Sequence, residues 1–187
     1  MTILLRALCL ALVASTVSIA APERSEATSV ASAAEIDADV RATAEKFATQ
    51  VRGARDLANK AEGVLVFPSV VKAGFGFGGE YGEGALLVRG RPNTYYNIIS
   101  ASFGFQLGVQ SRAVIIMFMT RDALDQFDAT AGWKVGVDGS VVLVTLGADG
   151  AIDTNNLTSP VIGFVLDQKG LMYNLTLEGS KITRINP

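Results

Sequence analysis

Apolar positions along this 187-residue chain change their period twice. Residues 7–14 form a short, nearly unbroken apolar run behind a single early cation, Arg6, and Ser15, Thr16, Val17, Ser18, Ile19 and Ala20 follow it. From Ile36 the apolar positions step by four and three through Val40, Ala44, Phe47, Val51, Ala54 and Ala58, with Arg41, Glu45, Gln50 and Arg52 off the stripe. Side chains three and four apart share a helix face, so this spacing predicts an amphipathic helix. Ser32 followed by Glu35 predicts a capping box, Gly53 a break into a long and a short helix, and Gly63 the stop.

Beyond Gly63 the pattern is that of strands. A buried strand is predicted over 64–67, ended by Pro68, with further strands over 85–89, 94–111 (bent), 113–119, 134–146, 161–166 and 170–177. Turn signals at 90–93, 147–150 and 167–170 separate them. One helix interrupts, over 121–129, with Thr120 as its cap and Leu124 and Phe127 on its inner face. In 73–79 and again in 103–109, glycine alternates with larger apolar residues. Glycine at such positions lets a strand bend or lets another backbone or a helix come close. The fold class this predicts is α+β: a mostly antiparallel, strongly curved or barrel-like β-sheet packed with an N-terminal amphipathic helix and a short internal helix.

The first apolar run is short for a membrane-spanning helix, and Ser18 and Ala20 stand at signal-peptidase spacing. Cleavage is expected after Ala20, with Ala21 the alternative. The division expected is 1–20 signal peptide, 21–33 flexible lead-in and 34–187 a single domain, reaching a periplasmic or cell-envelope location or the medium. Cys9, the one cysteine, lies inside the signal run, preceded by Arg6, Ala7 and Leu8 rather than by lipobox residues. It reads as an apolar signal-peptide residue, and lipidation is the lesser alternative.

Composition narrows the chemistry. There is no histidine, so the commonest general base and metal ligand is missing, and no thiol remains after processing. The formal charge of −2 argues against nucleic acid as a partner. No metal, cofactor or catalytic residue is expected. Gly74, Gly76 and Gly79 satisfy the letters of a dinucleotide motif, but a strand-like run follows where a helix N-terminus is needed. Glu80 and Glu83 could form a carboxylate pair; the simpler reading is a solvated loop, or carboxylates satisfied by backbone amides or by Arg89. Ser100, Ser102 and Ser111 lack a histidine to activate them, which leaves only a serine–lysine arrangement with Lys72 or Lys181.

Several ordered segments resemble one known family. These are 61–68 (AEGVLVFP), 72–84 (KAGFGFGGEYGEG), Tyr95-Tyr96-Asn97 through 104–108 (GFQLG), Phe118-Met119-Thr120 with Ala123-Leu124, 132–136 (GWKVG), and Gly170-Leu171-Met172 with 177–180 (LEGS). Together they are similar to the SYLF domain, in its bacterial exported type, over nearly all of the chain from about Ala34. The resemblance implies lipid binding without catalysis, and no family catalytic residues are carried over. No adaptor domain accompanies it in this sequence, so the actin and endocytic roles of eukaryotic members are not expected.

The function expected is therefore an exported lipid-binding protein of the bacterial cell envelope, with phospholipid or an anionic membrane surface as partner. The candidate lipid-binding residues are Lys46, Phe47, Val51, Arg52, Arg55 and Lys60 on the helical segment and Lys72 beside the glycine-rich strand. Two uses of the helical stripe stay open: packing on the sheet, or contact with a membrane surface. The alternative function is an envelope structural or interaction module that contacts a protein partner through a sheet edge or through Tyr95 and Tyr96.

Overall fold

The computed structural model describes residues 31–144, 158–167, 170–171 and 177–187, without the side chains of 73–77, 102–109, 167 and 170–171. The expected signal peptide with Cys9, most of the lead-in, and positions 145–146 and 172–176 of two expected strands lie outside the described residues. The elements are α1 (Ala33–Gln50), α2 (Ala54–Lys60), β1 (Gly63–Val88), β2 (Arg91–Phe118), α3 (Arg121–Ala129), β3 (Trp133–Lys134), β4 (Val142–Leu143), β5 (Val161–Asp167), β6 (Gly170–Leu171) and β7 (Lys181–Ile185).

The architecture is α+β, three helices with a mostly antiparallel half-barrel sheet. One very long hairpin makes most of it. β1 pairs with β2 from Gly63↔Phe118 to Val88↔Arg91, with register shifts at Phe67/Val70, Gly74/Gly76 and Leu86/Leu87. On its other side β2 takes β7 along Tyr95–Ile99 and β5 along Ala113–Phe118. Among the described strand pairs only β4 on β5 runs parallel. The several expected strands between 64 and 119 are thus two, and Pro68 ends neither. It sits in the first register shift, where a bulge tolerates a residue that cannot donate to the ladder. The hairpin turn is Arg89–Gly90, earlier than expected, with φ of 51° and 74°.

The hairpin folds across its own middle. Leu65, Phe67 and Val70 from the start of β1 share one core with Leu86 from its end, Tyr96 and Ile98 from the start of β2, and Val114, Ile116 and Phe118 from its end. Glycine permits the approach. A Cβ at Gly84 would lie 2.0 Å from the Val66 carbonyl oxygen, and one at Gly82 would lie 2.7 Å from that of Ser69. Leu124 and Phe127 of α3 close one end of this core, the Phe127 ring 4.7 Å from Phe118 and 5.5 Å from Trp133.

α1 and α2 cover the opposite face of the sheet. The Ser32–Glu35 capping box starts α1, and Gly53 at φ 86° turns the chain into α2. Ile36, Val40, Phe47, Val51, Ala54 and Leu57 are buried against Val66, Ile115, Met117 and Phe164. Each large apolar side chain so buried contributes about 1.5–3 kcal/mol, so the stripe packs on the sheet. Gly63 does not stop the helix, which ends at Ala61 with extended backbone. Gly63 opens β1 instead, where a Cβ would press on Leu124 at 3.0 Å. Strand β7 was not among the expected strands; alternation around Ile182 was its only signal.

If backbone approach governs the fold, Gly84→Ala destabilises the protein by about 3 kcal/mol or prevents folding. Gly79→Ala, whose Cβ would meet only Ser100 oxygen at 3.7 Å, changes stability by less than about 0.5 kcal/mol. Urea titrations of the two variants decide it; equal effects would contradict the argument.

Candidate functional site

A cleft of about 950 Å³ opens where α1, α2 and the hairpin turn meet. That is the size of small-molecule sites, which run from roughly 300 to 1,000 Å³. Val64, Leu87 and Val88, half-buried residues of the sheet, give it apolar walls, with Phe47, Ile115 and Met117 buried behind them. Arg41, Arg55, Arg89 and Arg121 stand around it with Glu45 and Glu62. The chain builds this place from three local features. Gly53 bends the two helices apart, the i, i+4 pattern of α1 turns Phe47 inward and Arg41 and Glu45 outward, and the Arg89–Gly90 turn brings a guanidinium to the edge.

The arginines differ in their surroundings. Arg55 pairs with Glu45 at 2.8 Å, Arg121 with Asp125 at 3.1 Å and Arg41 with Asp37 at 3.8 Å. These are largely exposed pairs, each contributing about 0–1 kcal/mol. Asp37 also accepts a 3.1 Å bond from the Tyr95 hydroxyl, which ties α1 to β2. Desolvation first, and then the Asp37 carboxylate, push the Tyr95 ionisation upward. Arg89 makes no ion pair or side-chain hydrogen bond among the described residues.

The expected lipid-binding residues are dispersed around this geometry. Phe47 and Arg55 line the cleft. Val51 is 2% exposed and Phe47 3%, its ring 4.8 Å from that of Phe164, so neither is presented on the outer surface. Arg52 and Arg55 face the hollow at the helix bend, beside Gly53. Lys46 stands on the other flank of α1, in a hollow of about 150 Å³ with Thr43, Ser111 and Arg112. Lys60 is exposed on α2. Lys72 is remote from the cleft and pairs with Glu80 at 3.7 Å. Sequence reasoning missed Arg41, Arg89 and Arg121, which come from three separate elements. Only the unusual arginine before the turn glycine could have drawn notice.

Glu80 and Glu83 are not a reactive pair. The Glu80 side chain, 9% exposed, is held by Arg112 and Lys72. Glu83 accepts from the Ala31 amide at 3.1 Å and from the Tyr81 hydroxyl. Arg89, the cation suggested for these carboxylates, serves neither. Tyr81, Val71 and Ile99 are exposed beside them in a second groove of about 670 Å³ that reaches Ile36 and Pro68. The tyrosines expected at a protein interface are otherwise engaged. Tyr96 is buried, its hydroxyl donating to Asp128 at 2.9 Å, and Tyr95 is half-buried under α1. Among the described residues no cluster of acidic residues is arranged to hold a metal ion, and no helix is long and apolar enough to cross a membrane.

A protein-family model described as Ysc84, Las17-binding protein actin regulator, matches residues 99–186. No curated protein matches the chain. The matched segment begins within β2 and takes in α3 and β3 to β7. Of the cleft it supplies Ile115, Met117 and Arg121.

If Glu80 acts as a structural counter-ion to buried Arg112, Glu80→Gln leaves a guanidinium uncompensated and costs about 3 kcal/mol. Denaturant titration checks this; unchanged stability would return Glu80 to consideration as a reactive group.

Proposed function

We propose, from the premise that residues 99–186 form a Ysc84/SYLF domain, a binding domain of a family associated with lipid binding, that this protein is exported to the bacterial cell envelope and binds phospholipid or an anionic membrane surface there without catalysis. The observation that carries this reading is the cleft between α1, α2 and the hairpin turn, with apolar walls and arginines around its mouth. Such a place suits an amphiphile, because the hydrocarbon leaves water while the anionic group meets cations. Burying one large apolar group contributes about 1.5–3 kcal/mol, and each cation near an anionic surface adds about 1 kcal/mol. Arg52 and Arg55 lie together at the helix bend and Lys60 is exposed on α2; all three would strengthen attraction to the surface. Phe47 and Val51 contribute by holding the helices in place.

Export is supported by the sequence of residues 1–20, with its early cation, apolar run and small residues before the cut. Mass spectrometry of the protein recovered from an expressing bacterium should give Ala21 as the first residue; a product retaining Met1 would contradict export by this route. For the lipid itself, flotation with vesicles containing anionic phospholipid should carry the purified protein upward at low salt. Binding should weaken as salt rises, since exposed charges are screened beyond about 10 Å at 0.1 M. Protein left at the bottom of the gradient under low salt would overturn the proposal. For the alternative of an envelope interaction module, Tyr95 and Tyr96 are occupied within the fold, which leaves a sheet edge as its contact.

A further inference from the structure

We infer that Arg89 selects the ligand of the cleft, and that this ligand is a single amphiphile whose acyl chain lies along the half-buried apolar floor of the cleft and whose phosphoryl headgroup sits at the hairpin turn. The inference rests on the lipid-binding reading above and makes it specific: one molecule held in a built site, rather than adhesion to a bilayer alone.

Two independent observations converge on Arg89. The first is conformational. Arg89 has φ 51° and is the one non-glycine residue with positive φ among the described residues. A two-residue hairpin turn with both φ values positive favours asparagine, aspartate or glycine at this position. An arginine there is held against its steric preference, and such strain persists where the surrounding structure imposes it, often at a ligand site. The second is electrostatic. Arg41, Arg55 and Arg121 each face a carboxylate within 4 Å. Arg89 is exposed on the cleft and has no such partner among the described residues. It can accept an anion without breaking an existing pair. A guanidinium presents parallel N–H donors that match two phosphoryl oxygens, which a carbonyl or hydroxyl headgroup cannot reproduce.

The apolar walls settle the other half of the ligand. Val64, Leu87 and Val88, half-buried at the cleft, offer no charged group to it, and a free phosphate would leave that surface wet. An acyl chain covers it.

The test uses two monomeric amphiphiles of equal chain length below their micelle concentrations: lysophosphatidylglycerol and the uncharged monoacylglycerol. Calorimetry with the purified protein should give one-to-one binding of the first, at least about tenfold tighter than the second. Arg89→Gly should raise the unfolding midpoint, because glycine relaxes the turn, while weakening lysophosphatidylglycerol about tenfold, the equivalent of a lost charge-assisted contact. Its monoacylglycerol affinity should be unchanged. A variant that is stabilised and still binds lysophosphatidylglycerol like the wild type overturns the assignment, since that is the behaviour of a residue serving the turn alone. If the wild-type protein floats with anionic vesicles but takes up neither amphiphile, the cleft inference falls and the lipid-binding reading stands. If it does neither, both fall.

Discussion

The folded hairpin depends on a place where backbone meets backbone. Gly82 and Gly84 lie against the carbonyls of Ser69 and Val66 so closely that no side chain fits between them. This contact lets the end of β1 cross its beginning. The core of Leu65, Phe67, Leu86, Ile98, Ile116 and Phe118 forms between the two halves. The sheet that results is curved because its longest strands are bent, with register shifts at Phe67/Val70 and Gly74/Gly76 supplying the bends.

The same crossing explains the buried charges. Glu80 lies on the later part of β1, Lys72 on the earlier part and Arg112 on β2, and folding brings all three together. Glu80 and Arg112 side chains are about nine-tenths buried. A buried ion pair is a weak source of net stability, yet it disfavours arrangements in which either charge would be buried alone. The Nε atom of Arg112 has no hydrogen-bond partner among the described residues. The group therefore acts by fixing how the hairpin is folded more than by adding free energy.

Once the hairpin has closed on one face, the other face of β1, β2 and β5 is left apolar, and α1 and α2 cover it. The cover is incomplete. α1 is anchored at its start through Asp37 and along its length through Phe47 on Phe164, and the turn at Gly53 sends α2 off in a new direction. The cleft is the gap left between the two helices and the hairpin turn. Its walls are half-buried apolar residues at the edge of the core and its mouth is made of surface arginines, so a place fit for an amphiphile arises from the way the helices seat on the sheet. The segment matched by the Ysc84 family model, residues 99–186, provides most of β2, α3 and β3 to β7. α1, α2 and all of β1, which complete the cleft, lie outside that match.

Local chemistry was readable directly from residue order. The capping box of Ser32 and Glu35, the break at Gly53, the stripe from Ile36 to Ala58 and the Thr120-capped helix each involve neighbours within one or two turns. The alternation of glycine with larger residues also disclosed a curved sheet. Three things were decided by tertiary structure alone. Pro68 became a bulge within one strand, because β2 continues past it. Glu80 found Arg112, which is far away in sequence and close only after the hairpin folds. Arg41, Arg89 and Arg121 gathered at one cleft because α1, the hairpin turn and α3 converge there. Periodicity reports which face of an element is apolar; which element that face will meet depends on close approach between distant backbones, and no local pattern encodes it.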